Sequence, residues 1–156
     1  MNIKDKSELK IKAIENGTVI DHINHNSLFK IIAILGLDNL DTEIFIGNNL
    51  ESKKLGRKAI IKIANKFPSE DDLNKIAIID SNVVINIIKD YEIVKKYNVT
   101  LPENISGFVR CINPKCVTNF EKIPTKFSVV RKNNNLELIC KYCEKSTNQD
   151  NIEIIF

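Results

Sequence analysis

The four cysteines of the chain are the residues best suited to chemistry, and they form two pairs within its last third. Cys111 and Cys116 are separated by four residues, Cys140 and Cys143 by two, and 23 residues lie between the pairs. Two short loops that present paired thiolates across a hairpin can give tetrahedral coordination by four cysteines. Four protein ligands leave no position for water, so the spacing predicts a structural zinc site, with one ion per chain, rather than a catalytic one.

Two other interpretations of the cysteines are open at this point. They could be four independently buried thiols, or Cys140 and Cys143 could be a redox pair. The charged N-terminus lacks the apolar region of a secretory leader, and no apolar run approaches the ~20 residues needed to span a bilayer. We therefore expect a cytoplasmic protein with no membrane partner, whose thiols stay reduced. That environment disfavours disulfides, and the pairing of the two loops favours a metal.

No other motif in the sequence indicates catalysis. The chain has no Walker phosphate loop, no G-x-S-x-G nucleophile elbow, no H-E-x-x-H zinc motif and no G-x-G-x-x-G dinucleotide fingerprint. With all four cysteines assigned to a metal, none is left as a nucleophile. His22 and His25 lie three residues apart in a stretch expected to be extended or turn-like, which disfavours a shared metal. The sequence thus predicts no catalytic residues and no enzymatic activity.

The composition allows one ordinary domain or two small ones. Of the 156 residues, 43% are hydrophobic, which is enough for a buried core, and the formal net charge is +3. Lysine and glutamate are interspersed along the chain, so phosphate-bearing partners are permitted without being required. A dense basic patch of the kind that nucleic-acid binders carry is not visible.

The first hundred residues alternate between strand and helix patterns. Strand patterns are expected over residues 8–23, 42–49, 56–65 and 81–94, and helix patterns over residues 26–37 and 68–80. Within the first stretch, Asn16-Gly17 is a turn signal or the end of a strand. Asn26 or Ser27 can cap the first helix and Gly36 can end it, while Ser69 and three following acids predict the start of the second. The order β-α-β-β-α-β predicts a ferredoxin-like fold.

The pattern breaks at residues 97–107, which contain Pro102 and Gly107 and are expected to link two domains. We place residues 1–101 in the first domain and residues 102–156 in the second. Short strand patterns in the second are expected over residues 107–111, 125–132, 136–140 and 151–156, with a hairpin turn within residues 131–137. About fifty residues of short strands bury little surface alone, so this small all-β module needs the zinc ion to fold. The fold class expected for the whole chain is α+β.

Four stretches of the chain match a known family in their order and spacing. They are NGTVIDHI (16–23), LGRKAIIKI (55–63), VINIIKDYEIVKK (84–96), and CINPKC with CKYCEK around the cysteines. On these motifs the chain resembles the regulatory chains of aspartate carbamoyltransferase, from about residue 9 to its end. The resemblance implies a non-catalytic subunit of pyrimidine biosynthesis, with an N-terminal allosteric domain that binds nucleoside triphosphates and a C-terminal zinc domain that contacts the catalytic chain. Two catalytic trimers would be joined by three regulatory homodimers, with CTP, ATP and UTP as effectors.

The resemblance also implies an effector site in the first domain. The walls of its base pocket would come from Ile11, Ala13, Ile14, Val19, Ile88 and Ile93. The backbone of Ile14 and of Tyr91 would contact the exocyclic amino group of the base. The polar contacts of the site would come from a second set: Asp21 and Lys62 at the ribose and base, and His22, Asn86 and Lys96 at the triphosphate. Without the resemblance, Lys62 and Lys96 would be interpreted as solvent-facing lysines.

The resemblance further implies that Asn113 and Glu144 contact the catalytic chain. Lys12 and Lys115 depart from the family pattern, which has an acidic residue and an asparagine at these positions. The alternative interpretation is a zinc-ribbon nucleic-acid-binding protein, which the basic charge balance and the four cysteines would suit. However, aromatic residues make up only 6% of the chain and Trp is absent, so a base-stacking platform is not indicated and no nucleic-acid partner is expected.

Overall fold

A computed structural model describes residues 13–155 of the chain. Within them, nine strands form two sheets, and two α-helices accompany the first sheet. The strands are β1 (Gly17–Asn24), β2 (Ile44–Ser52), β3 (Gly56–Ala64), β4 (Val84–Lys89), β5 (Glu92–Asn98), β6 (Asn104–Ser106), β7 (Lys126–Lys132), β8 (Asn135–Cys140) and β9 (Ser146–Asn148). The helices are α1 (Leu28–Ile34) and α2 (Glu70–Ile79), and 3-10 turns lie at Leu37–Asn39, Val117–Asn119 and Gln149–Asn151.

The first sheet and its helices form what we call the first module. The sheet has the order β2-β3-β1-β4-β5, and every neighbouring pair is antiparallel. The first four strands and the two helices confirm the predicted ferredoxin-like arrangement. Both helices pack on the face where Ile20, Ile61 and Ile85 are buried. The opposite face, on which Val19 and Asn86 lie, is covered by neither helix and is called the open face below.

The strand predicted over residues 81–94 is wrong, because this segment is a hairpin of two strands. β4 ends at Lys89, Asp90 and Tyr91 form the turn with positive φ of 51° and 66°, and β5 follows as an edge strand. The turn was missed because Asp90-Tyr91 lacks the glycine that usually marks a two-residue turn of this kind. The first sheet therefore has five strands rather than four.

The first strand also differs from its prediction. β1 begins only at Gly17, and residues 8–12 lie outside the described residues. Asn16-Gly17 is not a hairpin turn, since Gly17 already pairs with β3, with a φ of 144°. A Cβ atom on Gly17 would lie 2.1 Å from the carbonyl oxygen of Ile63. The close approach of the two strands, rather than a turn, requires glycine at this position.

The helix ends lie near their predicted positions. Ser69 caps α2 through two reciprocal bonds: its hydroxyl accepts from the Asp72 N–H at 3.1 Å, and the Asp72 carboxylate accepts from the Ser69 N–H at 3.0 Å. Two further acids occupy the first turn of α2, where the helix dipole favours negative charge. α1 begins directly after Ser27, although this side chain makes no capping bond, and Gly36 follows the helix with a φ of 61°.

The second sheet and its loops (residues 104–155) form what we call the second module. Its strand order is β6-β7-β8-β9, and the two central strands with their turn at Asn133-Asn134 lie where predicted. The strands predicted over residues 107–111 and 151–156 are wrong, because within the described residues the backbones of these segments pair only as one isolated bridge. The outer strands are instead β6 and β9, each three residues long and too short to carry a periodic signal.

A continuous hydrophobic core connects the two modules. Ile78 and Ile79 of α2 belong to the same buried cluster as Ile105, Phe108 and Phe127 of the second module. The end of α2 is therefore a structural junction between the two sheets. No helix within residues 13–155 combines the length and the apolar character needed to cross a membrane.

Candidate metal centre and effector face

The two cysteine pairs meet within the second module. Cys140 ends β8, Cys143 lies in the following turn, and Cys111 and Cys116 lie in a loop where the Cys116 N–H donates to the carbonyl of Asn113 at 3.0 Å. The four sulfur atoms all lie within 4.8 Å of one another. The Sγ–Sγ distance is 3.5 Å for Cys111 and Cys143 and 3.8 Å for Cys116 and Cys140. A tetrahedron with Zn–S bonds of about 2.3 Å has S···S edges of about 3.8 Å. The cluster therefore fits a structural Zn²⁺.

The four thiols differ in how readily they ionise. Burial raises the pKa of Cys111 and of Cys140, and the neighbouring Cys143 thiol raises both further. Burial opposes ionisation of Cys143 as well, but hydrogen bonds from the Lys145 N–H and from Asn113 outweigh it and lower the pKa to about 7. Four thiolates this close repel one another, so a divalent cation is needed to keep all of them ionised.

Two residues beyond the cysteines organise the first loop, and sequence reasoning missed both. Burial opposes ionisation of Cys116, but Thr118, whose hydroxyl donates to its Sγ at 3.2 Å, helps to hold the pKa below its usual value. The amide of Asn119 donates to the carbonyls of Cys111 at 3.2 Å and Asn113 at 2.7 Å. Both residues belong to the 3-10 turn directly after Cys116, and their polar character beside a ligand is the one signal that could have indicated them.

The predicted interface residues lie beside the cysteine cluster. Asn113 is half-buried, and its side-chain oxygen accepts from the Lys115 N–H at 3.1 Å. Glu144 is exposed, directly follows Cys143 and has a positive φ of 64°. Lys115, which departs from the family pattern, is exposed in the same loop, whereas Lys12 lies outside the described residues.

The open face of the first module brings several predicted effector residues into one row. Lys62 of β3 lies opposite Val19 of β1, Val19 lies opposite Asn86 of β4, and Asn86 lies opposite Lys96 of β5. Directly paired residues share a face of the sheet, and neighbouring strands lie about 4.8 Å apart. The two lysines therefore stand at the ends of a row about 14 Å long, with Asn86 between them.

Asn86 carries the clearest sign of a missing partner on this face. The residue is 7% exposed, yet its side-chain oxygen has no hydrogen-bond partner among the described residues. An unpaired buried carbonyl costs about 1–3 kcal/mol, so a ligand that donates a hydrogen bond would be stabilised here. A small buried apolar cluster on the same face includes two neighbours of Asn86 in the sheet, and its members are Ile14, Val19 and Ile88, packed against Phe45, Ile60 and Ala64.

A charged group lies farther along β1, where the strand bulges. The register between β1 and β3 shifts after Ile20, and His22 adopts a positive φ of 58°. The Asp21 carboxylate accepts from the Lys58 amine at 2.9 Å and lies 3.4 Å from His22 Nδ1. Burial alone would raise the pKa of Asp21, but Lys58 and the His22 N–H lower it below its usual value. Sequence reasoning missed Lys58, because the strand bulge that brings it to Asp21 leaves no pattern in the residue types.

The remaining predicted effector residues lie around this face or beyond the structure. Tyr91 and Ile93 are 65% and 58% exposed at the β4–β5 hairpin, and Ala13 is exposed before β1. The Tyr91 N–H donates to the Glu15 carbonyl at 2.9 Å, which ties the hairpin turn to the segment before β1. Ile11 lies outside the described residues. Since the Tyr91 N–H is already paired, its backbone could contact a base only through the carbonyl.

Comparison with known proteins identifies relatives along nearly the whole chain. The family model for the allosteric domain of the aspartate carbamoyltransferase regulatory chain matches residues 9–100, and that for its metal binding domain matches residues 103–153. The regulatory chain from Parabacteroides distasonis is 47% identical over 154 residues, which cover 99% of each chain. The one from Porphyromonas gingivalis is 49% identical over 150 residues, 96% of this chain and 99% of the relative. That from Pyrococcus horikoshii is 46% identical over 147 residues, 93% of this chain and 96% of the relative.

Proposed function

Because the chain belongs to the family of aspartate carbamoyltransferase regulatory chains, which are non-catalytic subunits, we propose that it binds nucleoside triphosphates on its open face and transmits their effect to the catalytic chains. The observation that carries the proposal is the buried Asn86, whose side-chain oxygen lacks a partner in the middle of a row that ends in Lys62 and Lys96. If no ligand bound to this sheet face, the unpaired Asn86 oxygen would only lower the stability of the fold.

The chemistry of the open face suits a nucleoside triphosphate. Its apolar cluster offers Val19 and Ile88 to a base. The family resemblance places Asn86 at the triphosphate, but its unpaired oxygen is an acceptor and suits a sugar hydroxyl or an amino group rather than a phosphate oxygen. Lys96 is exposed at the end of the row, where it can form charge-assisted bonds to phosphate oxygens. Asp21 lies farther along β1 and suits contacts to hydroxyl donors of the ribose.

We further propose that CTP, ATP and UTP share this one site. They carry the same triphosphate and ribose, and the described face has one row of residues suited to both groups. The three nucleotides are then distinguished by the contacts that each base makes with the apolar cluster and with the backbone of Ile14 and Tyr91. Opposite effects on activity follow if the bases leave the surrounding segments in different positions.

The assembly belongs to the same proposal. Residues 1–101 act as the allosteric domain and residues 102–156 as the zinc domain, whose loop surface at Asn113 and Glu144 contacts a catalytic chain. The regulatory chains pair as homodimers, and three such dimers join two catalytic trimers in the cytoplasm, where the complex serves pyrimidine biosynthesis. The four-cysteine cluster supports this arrangement because it holds both loops that carry the contact residues.

The single-site proposal is tested by calorimetric titration of CTP into the chain, with and without saturating ATP. We expect ATP to raise the apparent Kd of CTP, and independent saturation at full affinity would contradict the shared site. An oligonucleotide titrated in parallel tests the alternative function. A nucleic-acid-binding protein would bind it with an affinity that falls steeply with salt, and would not bind CTP.

Asn86→Leu tests the residue that carries the proposal. We expect an increase in the Kd of CTP of about tenfold, while the free energy of unfolding stays the same or rises by up to about 1 kcal/mol, because an unpaired buried acceptor is removed. Asn135→Leu, at an exposed position in the second module, is the matched control. Unchanged CTP affinity in Asn86→Leu would show that this oxygen does not face the ligand.

A further inference from the structure

A side-chain amide of the second module binds the end of α2 in the first. Gln149 lies in the 3-10 turn that follows β9, and its Nε2 donates to the carbonyls of Ile78 at 3.0 Å and Ile79 at 3.2 Å. These carbonyls are among the last four of the helix, which have no partner within it. One neutral side chain therefore makes two hydrogen bonds across the junction of the modules.

From the end of α2, hydrogen bonds continue toward the open face. Asp80, the residue after the helix, is buried, and its carboxylate accepts from the N–H of Asn24 at 2.8 Å and of Asn82 at 3.0 Å. Asn24 is the last residue of β1, the strand that also carries Asp21. A movement of β1 at the open face would therefore shift Asp80 and the carbonyls that Gln149 holds.

In the other direction, contacts continue from Gln149 to the metal centre. The residue follows β9 directly, and β9 pairs with β8 through Thr147 and Leu138. β8 ends at Cys140, whose N–H donates to the carbonyl of Lys145 at 3.0 Å. The turn that contains Gln149 is thus connected to the metal ligand Cys140 through the pairing of β9 with β8.

The amide differs in kind from the rest of the junction. Most junction residues are apolar and pack without directional preference, whereas the two bonds of Gln149 depend on the position of the helix end. A second polar contact across the junction, from Arg131 to Ser81, is longer at 3.5 Å. A polar cavity of about 250 Å³ adjoins Gln149, Asp80 and Asn24, which leaves room for the amide to turn and for water to replace it.

We propose that Gln149 is the positioning residue that couples the open face to the metal centre, by holding the C-terminal carbonyls of α2 in place. The inference rests on the proposed function, because it concerns how a nucleotide bound on the open face acts on the catalytic chains. It requires that the coupling can be lost while nucleotide binding, zinc content and assembly are all retained.

The test uses holoenzyme reconstituted from this chain and its catalytic chains. Gln149→Met removes both bonds at nearly constant length, and Asn151→Met also replaces an amide by a thioether, at an exposed position of the same turn. Gln149→His retains one N–H donor and serves as the conservative rescue. Each holoenzyme is assayed for the ratio of activity with and without CTP, for the Kd of CTP, for zinc per chain and for its sedimentation coefficient.

We expect Gln149→Met to reduce the CTP effect on activity by about fivefold, a loss within the range of allosteric couplings. The Kd of CTP should stay within about twofold of the wild-type value, since the substituted side chain is remote from the row of effector residues. Asn151→Met should behave as wild type, and Gln149→His should recover part of the response. Zinc content and assembly should not change.

The outcomes separate the two proposals. A Gln149→Met holoenzyme that responds to CTP as wild type does would overturn the coupling role of Gln149 alone. So would an equal loss of response in Asn151→Met, or a loss that is matched by loss of zinc or of assembly. A wild-type chain that neither binds CTP nor changes the activity of its catalytic chains would refute the proposed function, and the coupling role with it.

Discussion

Lys62, Asn86 and Lys96, the core of the proposed effector site, are single residues of ordinary type. On a sequence, each lysine is indistinguishable from one on a solvent-facing strand, and a lone asparagine in an apolar run is a weak signal. Three strand registers place them in one row, and burial then leaves the Asn86 oxygen without a partner. At this scale the informative feature is the buried Asn86 oxygen, which lacks a hydrogen-bond partner among the described residues.

Lys96→Ala should weaken the binding of CTP far more than that of cytidine. A hydrogen bond to a charged group is worth about 1.5–3 kcal/mol, which corresponds to a rise of about tenfold to hundredfold in the Kd of CTP. Lys95→Ala is the matched control, because Lys95 precedes it on the same strand and lies 4.9 Å from the ring of Tyr97. Calorimetry with both ligands would contradict a phosphate contact if cytidine and CTP lost equal affinity.

The Asp21–Lys58 pair predicts a specific dependence of stability on pH. Because the folded-state pKa of Asp21 is lowered, the pair stabilises the fold above the unfolded pKa of about 4 and loses this contribution as the pH falls below it. Lys58→Met should therefore lower the free energy of unfolding at pH 6 by up to about 1 kcal/mol, a small value because the pair is partly exposed to water. Urea unfolding at pH 6 and near pH 3 should show the difference between variant and wild type shrinking at low pH. A difference that stays constant over this range would exclude the pair as its cause.

At the scale of elements, α2 is stabilised at its C-terminal end by packing against the second module and at its N-terminal end by the Ser69 cap. Ser69→Ala should lower the free energy of unfolding by about 1 kcal/mol, because it removes the hydroxyl that accepts from the otherwise unpaired N–H of Asp72. Ser27→Ala is the control, since Ser27 stands at the same position of α1 without a side-chain cap bond and should change stability by only a few tenths of a kcal/mol. Urea denaturation measures both. Equal losses in the two variants would mean that capping is not the source.

The elements also show what residue patterns can and cannot predict. The two helices, each preceded by a serine, and strands with regular alternation such as β2, β3, β7 and β8, were predictable because each carries a local signal. The β4–β5 hairpin was not, because its turn at Asp90-Tyr91 lacks the glycine that usually marks such a turn. β6 and β9 were not, because their pairing is decided by neighbouring strands rather than by their own residues.

The residues of the two candidate sites also include some that sequence patterns predict and some that they do not. The cysteine cluster was predictable from spacing, since chelation imposes a short distance in sequence within each pair. Lys58 and Thr118 were not, because a bulge in β1 and the fold of one loop bring them to their partners. The effector row was expected only through family resemblance, and the structure adds a physical reason for it in the burial of Asn86.

At the scale of the whole molecule, two modules with different sources of stability share one junction. The first has a sheet with two helices on one face, and the second has short strands around four cysteines. Three of these cysteines lie in the buried core that also reaches the end of α2. Metal binding is thus expected to stabilise the second module and, through it, the surface that we propose contacts the catalytic chain.

Zinc removal from the holoenzyme tests this central claim most directly. A reagent that forms mercaptides, or a strong chelator, should release one zinc per chain and unfold the second module, while the first keeps its own helix-covered sheet and still binds CTP. Cys111→Ser should have the same effect, because three thiolates leave an open and weaker site.

The decisive measurement is sedimentation velocity of the treated holoenzyme, with zinc and activity determined in each fraction. We predict that loss of zinc and release of active catalytic trimers occur together, and that the released trimers no longer respond to CTP or ATP. Zinc-free regulatory chains that remain bound to the trimers, and that still transmit the effect of CTP, would contradict the account.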